Sequence, residues 1–265
     1  MPGTVEGDGR SILCEYSGGR RNHVNIPTAG NALKVQVLAD AEAVARAAAK
    51  LIAAEARAAV SQRGRFVMAV SGGRTPWEML RALANESVPW KNVHVVQVDE
   101  RVAPSGDVDR NLTHLRESLL EHAPLPPEQI HAMPVEEDDL EAAAAGYARL
   151  LQEIAGSPPV LDLTHLGLGP DGHTASLVPG DPVLAVTDRD VAVTGIYQGR
   201  RRMTLTYPML NRSRRILWLV TGAEKAGMLA RLRRGDESIP AGRVRADTAV
   251  VLADRAAAGE AGTDR

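Results

Sequence analysis

One stretch of the sequence brings an aspartate and a histidine together in a glycine-rich loop. Asp171 and His173 stand two residues apart, and an apolar run at residues 160–168 leads directly into their loop. An α/β protein places reactive groups at the carboxyl edge of its sheet in this way, on loops that follow buried strands. Histidine titrates near neutral pH, and only His173 of the seven histidines has such a setting. We therefore take His173 as the candidate general base.

A second stretch has the pattern of an anion-binding turn. An apolar run at residues 66–70 is followed by Ser71, Gly72, Gly73, Arg74 and Thr75. Pro76 suits the first turn of a helix, and Thr75 suits its N-cap. A strand, a Gly-Gly turn and a helix start leave backbone N–H groups free to bind an anion such as phosphate, aided by the helix dipole. An ordinary strand-to-helix turn can have the same pattern, so these residues alone leave both interpretations open.

Charged residues also follow other predicted strands. Asp99, Glu100 and Arg101 come directly after the apolar run at residues 93–98. Three consecutive charges would be costly in the core, so we expect them at the mouth of the crevice where open α/β sheets bind ligands. A solvated loop with a surface ion pair is the alternative.

Two more cations are candidates for binding an anion. Arg202 ends a basic turn at residues 198–202, and Lys225 falls in the predicted first turn of a helix. The helix dipole disfavours a cation at that position, so Lys225 hints at a bound anion. The arginines of the turn could make bidentate hydrogen bonds to a phosphate, or they could simply keep the loop soluble.

Taken together, these groups indicate acid–base chemistry on a phosphorylated small molecule. No Gly-x-Gly-x-x-Gly dinucleotide fingerprint follows the first strand, and no Walker-type lysine is present. A Gly-x-Ser-x-Gly nucleophile elbow is also missing, which disfavours a covalent serine route. A cysteine-rich metal site is excluded, because the chain has one cysteine.

The predicted elements alternate between strands and helices. The apolar segments are predicted to be strands, near residues 34–38, 66, 94, 162, 192, 217 and 249. Three segments are predicted to be helices, at residues 41–62, 111–121 and 136–154. This alternation predicts an α/β fold with a parallel sheet. We expect an N-terminal extension of mobile character at residues 1–30, one α/β domain at residues 31–258 and a short tail at residues 259–265.

Composition sets limits on partners and location. The formal net charge of −2 gives no overall positive electrostatic field that would attract nucleic acid or an anionic membrane. No apolar run approaches the ~20 residues that span a bilayer, and residues 1–30 lack the apolar core of a signal peptide. The single cysteine fits a reducing compartment, so we expect a cytoplasmic protein, with a monomer favoured.

The motifs resemble those of the 6-phosphogluconolactonases, within the glucosamine-6-phosphate isomerase/6-phosphogluconolactonase family. The match lies in four blocks: Ser-Gly-Gly-Arg-Thr-Pro at 71–76, Asp-Glu-Arg-Val at 99–102, Gly-Leu-Gly-Pro-Asp-Gly-His-Thr-Ala-Ser-Leu at 167–177, and Arg-Met-Thr-Leu-Thr at 202–206 with Gly-Ala-Glu-Lys at 222–225. The resemblance implies a Rossmann-like, mostly parallel sheet flanked by helices. It also implies hydrolysis of 6-phospho-D-glucono-1,5-lactone without a metal or another cofactor.

The resemblance also implies roles for individual residues. His173 matches the general base, Asp171 its neighbour, and Arg101 the arginine of the Asp-Glu-Arg block that begins at Asp99. The Ser-Gly-Gly loop and Lys225 match phosphate-contacting positions, and Arg202 matches the basic position that opens its block.

Two other functions remain as alternatives. Deaminases and isomerases of the glucosamine-6-phosphate type share several blocks, but their Asp-Glu pair is usually followed by tyrosine and their histidine loop continues toward Phe-Asn-Glu. Here Arg101 and residues 174–177 (Thr-Ala-Ser-Leu) stand at those places, which favours the lactonase. The second alternative is a non-catalytic sugar-phosphate sensor, and the presence of His173 beside Asp171 argues against it.

Overall fold

The computed structural model of the protein describes residues 33–260, so the predictions for residues 1–30 and for the tail beyond residue 260 lie outside the described range. The strands are β1 (Lys34–Leu38), β2 (Phe66–Val70), β3 (Val93–Gln97), β4 (Asp99–Arg101), β5 (Ile130–His131), β6 (Leu163–Gly167), β7 (Val191–Val193), β8 (Arg202–Leu205), β9 (Ile216–Val220) and β10 (Ala249–Asp254). The α-helices are α1 (Ala41–Arg63), α2 (Arg74–Ala84), α3 (Asn111–Leu115), α4 (Leu140–Ala155), α5 (Tyr207–Asn211) and α6 (Ala226–Arg233).

Within the described residues, seven parallel strands form one sheet in the order β1-β10-β9-β6-β2-β3-β5. The chain proceeds outward from β2 to β3 and β5 on one side, and from β6 to β9 and β10 on the other. The order therefore reverses between β2 and β6, and the loops after these two strands leave from the same edge. Open α/β sheets bind ligands at such a switch point. The predicted Rossmann-like sheet flanked by helices is confirmed.

The buried strands send alternate side chains to opposite faces of the sheet. Val67 and Ala69 of β2 belong to the apolar cluster that contains α4, whereas Phe66, Met68 and Val70 belong to the cluster that contains α1 and α2. This is the period of two expected of an extended chain covered on both faces. None of the helices in the described part of the chain combines the length and apolar character needed to cross a bilayer.

Helix boundaries follow their capping residues. The Asp40 side chain accepts a hydrogen bond from the backbone of Ala43 at 2.8 Å, and Gly64 ends α1 in the left-handed conformation, much as predicted. The predicted start of the next long helix at residue 136 is wrong. The Asp139 carboxylate caps α4, which begins at Leu140, so the acidic residues 136–138 precede the helix.

A second, smaller sheet was not predicted. Strands β4, β8 and β7 pair in antiparallel fashion, so the assignment of the strand near residue 192 to the parallel sheet is wrong. That strand is also shorter than the predicted segment at residues 191–196, because the chain leaves β7 and reverses in a turn at residues 197–200. This small sheet lies beside the carboxyl edge of the large one, since β4 starts two residues after β3 ends. The segment predicted as one helix at residues 111–121 is α3 followed by a π-helical turn, Arg116–Leu120.

Candidate active site

A cavity of about 620 Å³ opens at the carboxyl edge of the large sheet. All the predicted site residues except Asp171 line it: Ser71, Gly72, Gly73, Arg74, Thr75, Asp99, Arg101, His173, Arg202 and Lys225. These residues come from the segments after β2, β6 and β9 and from strands β4 and β8 of the small sheet. The structure therefore gathers groups that lie far apart in the sequence around one space.

Asp171 and His173 are hydrogen-bonded to each other at the rim of this cavity. The Nδ1 atom of His173 lies 2.6 Å from Oδ1 of Asp171, and the His173 backbone N–H donates to the same oxygen at 3.1 Å. Partial burial raises the pKa of Asp171, but the bonds from His173 outweigh it and hold that pKa below its usual value. An ionised Asp171 fixes the proton on Nδ1, which leaves Nε2 of the ring as the nitrogen able to accept a proton.

The loop that carries this pair depends on close approach of its backbone. A Cβ atom at Gly169 would lie 2.0 Å from Nδ1 of His173, so no larger residue fits there unless the imidazole moves. Gly172 has a φ of +83°, and a Cβ there would meet Ile239 at 2.7 Å. The backbone N–H of Gly169 donates to the carbonyl of His173 at 2.8 Å and closes the loop. The glycines of the Asp-Gly-His block therefore set the position of the imidazole.

The turn after β2 presents backbone N–H groups to the cavity. The N–H groups of residues 72–75 donate to no acceptor within residues 33–260, and they stand at the start of α2. The predicted N-cap is wrong: Gly73 occupies that position, while the Thr75 hydroxyl pairs with the hydroxyl of Thr221 at 2.7 Å. A helix start whose N–H groups lack acceptors can bind an anion whichever residue caps it.

Ser71 faces the sheet rather than the helix start. Its backbone N–H donates to Nδ1 of His165 at 3.2 Å, and its hydroxyl donates to the carbonyl of the same residue at 3.0 Å. Complete burial lowers the pKa of His165 to about 3, so this ring is neutral and can accept the bond. His165 is thus a hydrogen-bonded residue of the core. Ser71 therefore anchors the loop, which leaves the following residues as the free donors.

Asp99 is buried at the inner wall of the cavity. Its Oδ2 atom accepts a hydrogen bond from the Ser176 hydroxyl at 2.5 Å. Burial raises the pKa of Asp99, and this outweighs the opposing effects of Ser176, Arg202 and Arg101. The carboxyl group therefore retains a proton to a higher pH than an ordinary aspartate.

Glu100 lies in the core, so its predicted place at the mouth of the crevice is wrong. The side chain is fully buried, and its carboxylate accepts bonds from the backbone N–H groups of Arg101, Asn111 and Leu112, each at 2.8 Å. The guanidinium of Arg110, itself buried, lies 3.1 Å away. Paired charges and several donors make this burial tolerable, and they tie β4 to the start of α3.

Asn111 is a residue of the cavity to which the sequence gave no role. Its Oδ1 atom accepts a bond from the Arg101 guanidinium at 2.9 Å, and its Nδ2 donates to the carbonyl of Asp99 at 2.9 Å. A Cβ atom at Gly72 would lie 1.9 Å from that Oδ1, so the amide packs directly on the turn after β2. Asn111 thus links Arg101 to the turn, and only its place at the start of a predicted helix could have drawn attention to it.

The three remaining predicted cations differ in their surroundings. Arg202 is 4% exposed, its Nε has no hydrogen-bond partner within residues 33–260, and burial lowers the pKa of its guanidinium. Lys225 occupies the N-cap position of α6 and lines the cavity. The Arg74 side chain is 90% exposed and lies 3.7 Å from Glu78. Arg202 and Lys225 are therefore better placed than Arg74 to meet a ligand. Within residues 33–260, no cluster of three His, Cys, Asp or Glu side chains could hold a metal ion.

The chain is similar to a family of sugar-phosphate enzymes over most of its length. The sequence model described as Glucosamine-6-phosphate isomerases/6-phosphogluconolactonase matches residues 39–252. A 6-phosphogluconolactonase of Nostoc sp. is 37% identical over 202 residues, which cover 75% of this chain and 84% of that protein. One of Mycobacterium leprae is 36% identical over 240 residues, covering 84% and 96%.

A solved structure extends the similarity to the fold. The crystal structure of a 6-phosphogluconolactonase from Thermotoga maritima superposes with a TM-score of 0.74 at 28% sequence identity, covering 83% of this chain and 98% of that one. The range that matches the sequence model contains both the turn at residues 71–75 and the loop of Asp171 and His173.

Proposed function

Because the chain belongs to the glucosamine-6-phosphate isomerase/6-phosphogluconolactonase family, we propose that it is an enzyme that hydrolyses 6-phospho-D-glucono-1,5-lactone to 6-phospho-D-gluconate. This reaction belongs to the oxidative branch of the pentose phosphate pathway. The observation that carries the proposal is the Asp171–His173 pair beside a cavity that residues 72–75 also line, whose N–H groups have no acceptor within residues 33–260. A base and an anion site in one cavity suit a substrate that has a phosphate at one end and an activated ester at the other.

The chemistry needs few groups, because a lactone is already an activated ester. Nε2 of His173 takes a proton from water as the water oxygen bonds to C1 of the lactone. The tetrahedral oxyanion then collapses, the bond from C1 to the ring oxygen breaks, and the imidazolium returns the proton to that oxygen. A positioned base contributes ~10²–10⁴ in rate. Arg101, held by Asn111 at 2.9 Å, is the candidate donor for the oxyanion, a contribution of roughly 3–4 kcal/mol.

The phosphate supplies binding energy far from the reacting carbon. We place it at the N–H groups of residues 72–75, with Lys225 as the nearby cation. Binding energy at this remote group can orient the ring against His173, and such orientation raises kcat rather than only lowering KM. Arg202 lines the cavity, and its guanidinium suits a contact with the ring hydroxyls or the carboxylate of the product.

A pair of coupled assays tests the function. We expect NADPH formation from the lactone through 6-phosphogluconate dehydrogenase, and no ammonia release from glucosamine 6-phosphate. Ammonia release without lactone hydrolysis would favour the deaminase alternative, and binding of sugar phosphate without turnover would favour the sensor. The assay is best run at a pH where spontaneous ring opening is slow.

Single substitutions separate chemistry from binding. His173→Ala is expected to lower kcat by ~10²–10⁴ while the affinity for 6-phosphogluconate stays within a few-fold. His122→Ala is the matched control, since His122 is exposed and its side chain bonds only to the carbonyl of Glu117 in the described residues. Lys225→Ala is expected chiefly to weaken binding, with a smaller loss of kcat than in His173→Ala. Arg74→Ala is expected to do the same more mildly, because that side chain is largely exposed.

We further propose a small-molecule partner only, with no nucleic acid and no membrane, in line with the net charge of −2. A monomer in the cytoplasm remains the expected state. Light scattering of the full chain and fractionation of the source cell would check these two points.

A further inference from the structure

The turn between β7 and β8 brings an aromatic residue without an assigned role onto the Asp171–His173 pair. The Tyr197 hydroxyl donates to Oδ2 of Asp171 at 3.2 Å. Its ring meets the imidazole of His173 edge to face, with centroids 5.7 Å apart and planes at 62°. Both Asp171 oxygens are therefore engaged, Oδ1 by His173 and Oδ2 by Tyr197.

The turn itself is built to hold Tyr197 in place. Tyr197 and Arg200 exchange backbone hydrogen bonds of 3.0 and 3.3 Å, and the two residues between them have φ values of +52° and +79°. Positive φ at both central positions is the geometry of a tight hairpin turn. The Arg200 guanidinium lies 3.1 Å from Asp107 and 3.0 Å from Asp109, which fixes the turn to the loop before α3.

The Tyr197 ring also contacts a cation of the site. The Arg202 guanidinium carbon lies 5.0 Å from the ring centroid, within the range of a cation–π contact. The pKa of the Tyr197 phenol is raised, mainly by burial and then by the negative charge of Asp171. The hydroxyl therefore keeps its proton at neutral pH and can donate to the carboxylate.

We propose that Tyr197 is a positioning residue for the reaction: its hydroxyl fixes the Asp171 carboxylate, and hence the His173 imidazole, while its ring orients Arg202. This inference rests on the proposed function for its effect on turnover. Without the hydroxyl, the carboxylate can rotate about its terminal bond, and the imidazole samples orientations in which Nε2 does not face the water. Without the ring, Arg202 also loses the surface on which it lies.

Two substitutions separate the hydroxyl from the ring. Tyr197→Phe keeps the ring and is expected to lower kcat about tenfold with KM within twofold, because it disturbs the base and not the binding groups. Tyr197→Leu removes both and is expected to lower kcat to a similar extent and also to raise KM about fivefold. Tyr207→Phe is the matched control: that hydroxyl donates to the carbonyl of Pro240 at 2.9 Å, so its loss should leave both constants unchanged.

A measurement that does not need turnover completes the test. In full-length protein with ¹⁵N-labelled histidine, the His173 ring shifts are expected to show protonation at Nδ1 in the wild type and in Tyr207→Phe. In Tyr197→Phe they should move toward a mixture of the two tautomers. If the wild type hydrolyses the lactone and Tyr197→Phe keeps kcat within twofold, the proposal is wrong. Unchanged His173 shifts in Tyr197→Phe would overturn it as well, even if the wild type fails to hydrolyse the lactone and the proposed function falls.

Discussion

Replacing Gly169 with alanine tests whether the position of the His173 imidazole controls turnover. A Cβ atom at residue 169 would lie 2.0 Å from Nδ1 and 2.3 Å from Cε1 of His173, whereas ordinary contact begins at 3.4 Å. The ring must therefore shift by about 1.4 Å (3.4 minus 2.0), which breaks its 2.6 Å bond to Asp171. A misplacement of about 1 Å costs ~10²-fold in rate, so we expect kcat to fall about 100-fold. The backbone of Gly169 is not left-handed, so alanine adds no backbone strain.

The assay compares lactone hydrolysis by the variant with that by the wild type, together with the affinity for 6-phosphogluconate. We expect KM and product affinity within about threefold, because the anion-binding turn belongs to another loop. Gly146→Ala is the matched control: its Cβ would meet only Arg149, at an ordinary 3.7 Å, inside α4. That change should leave kcat unchanged and add up to ~1 kcal/mol of stability from helix propensity.

Two outcomes would refute this reasoning. A kcat within twofold of the wild type in folded Gly169→Ala protein would show that the imidazole position does not limit turnover. Loss of product affinity with kcat intact would show that the loop serves binding rather than proton transfer. Circular dichroism of each variant confirms that the folded protein is being compared.

Three further predictions concern the anion site, the buried charge and acid sensitivity. Gly72→Ala should weaken binding of inorganic phosphate and product about tenfold, since its Cβ would lie 1.9 Å from Oδ1 of Asn111; unchanged affinity in a titration would contradict this. Glu100→Gln should lower the free energy of unfolding in urea by about 3–5 kcal/mol, because it leaves a buried guanidinium and several N–H donors without their carboxylate; a loss below about 1 kcal/mol would contradict it. The pKa of His131 is lowered to about 4, mainly by burial and then by the neighbouring His94 imidazole. The unfolded chain therefore takes up a proton at this residue from about pH 6.5 downward, whereas the folded chain does so only near pH 4. Acidification from pH 7 to 5 should therefore lower the free energy of unfolding by about 1 kcal/mol after allowance for partial exposure. His131→Gln should remove this acid-induced loss, and equal acid sensitivity of the two proteins would contradict the prediction.

Local patterns were sufficient to predict the parts of the site that single loops build. The turn at residues 71–75 and the loop of Asp171 and His173 each follow a buried strand, and their glycines signal the turn directly. The parallel sheet followed from the alternation of apolar strands and helices. The error over the helix cap arose because Gly73 takes the capping position, which leaves the Thr75 hydroxyl to bond Thr221, 146 residues away.

The remaining features depend on pairings between distant parts of the chain. The small antiparallel sheet joins β4 to β8, and nothing in either short segment reveals the other. The sequence shows that Glu100 is charged, but not that Arg110 and the start of α3 fold back to cover it. The sequence shows Tyr197 only as the residue before a predicted basic turn, because its bond to Asp171 spans 26 residues. Such contacts are settled by tertiary packing, which local periodicity does not encode.

The most direct test of the proposed mechanism is a crystal structure of the full chain with bound 6-phosphogluconate. The mechanism predicts that the phosphate accepts bonds from the backbone N–H groups of residues 72–75 and that the C1 carboxylate lies within hydrogen-bond distance of Nε2 of His173. A phosphate bound away from that turn, or a carboxylate out of reach of the imidazole, would contradict it.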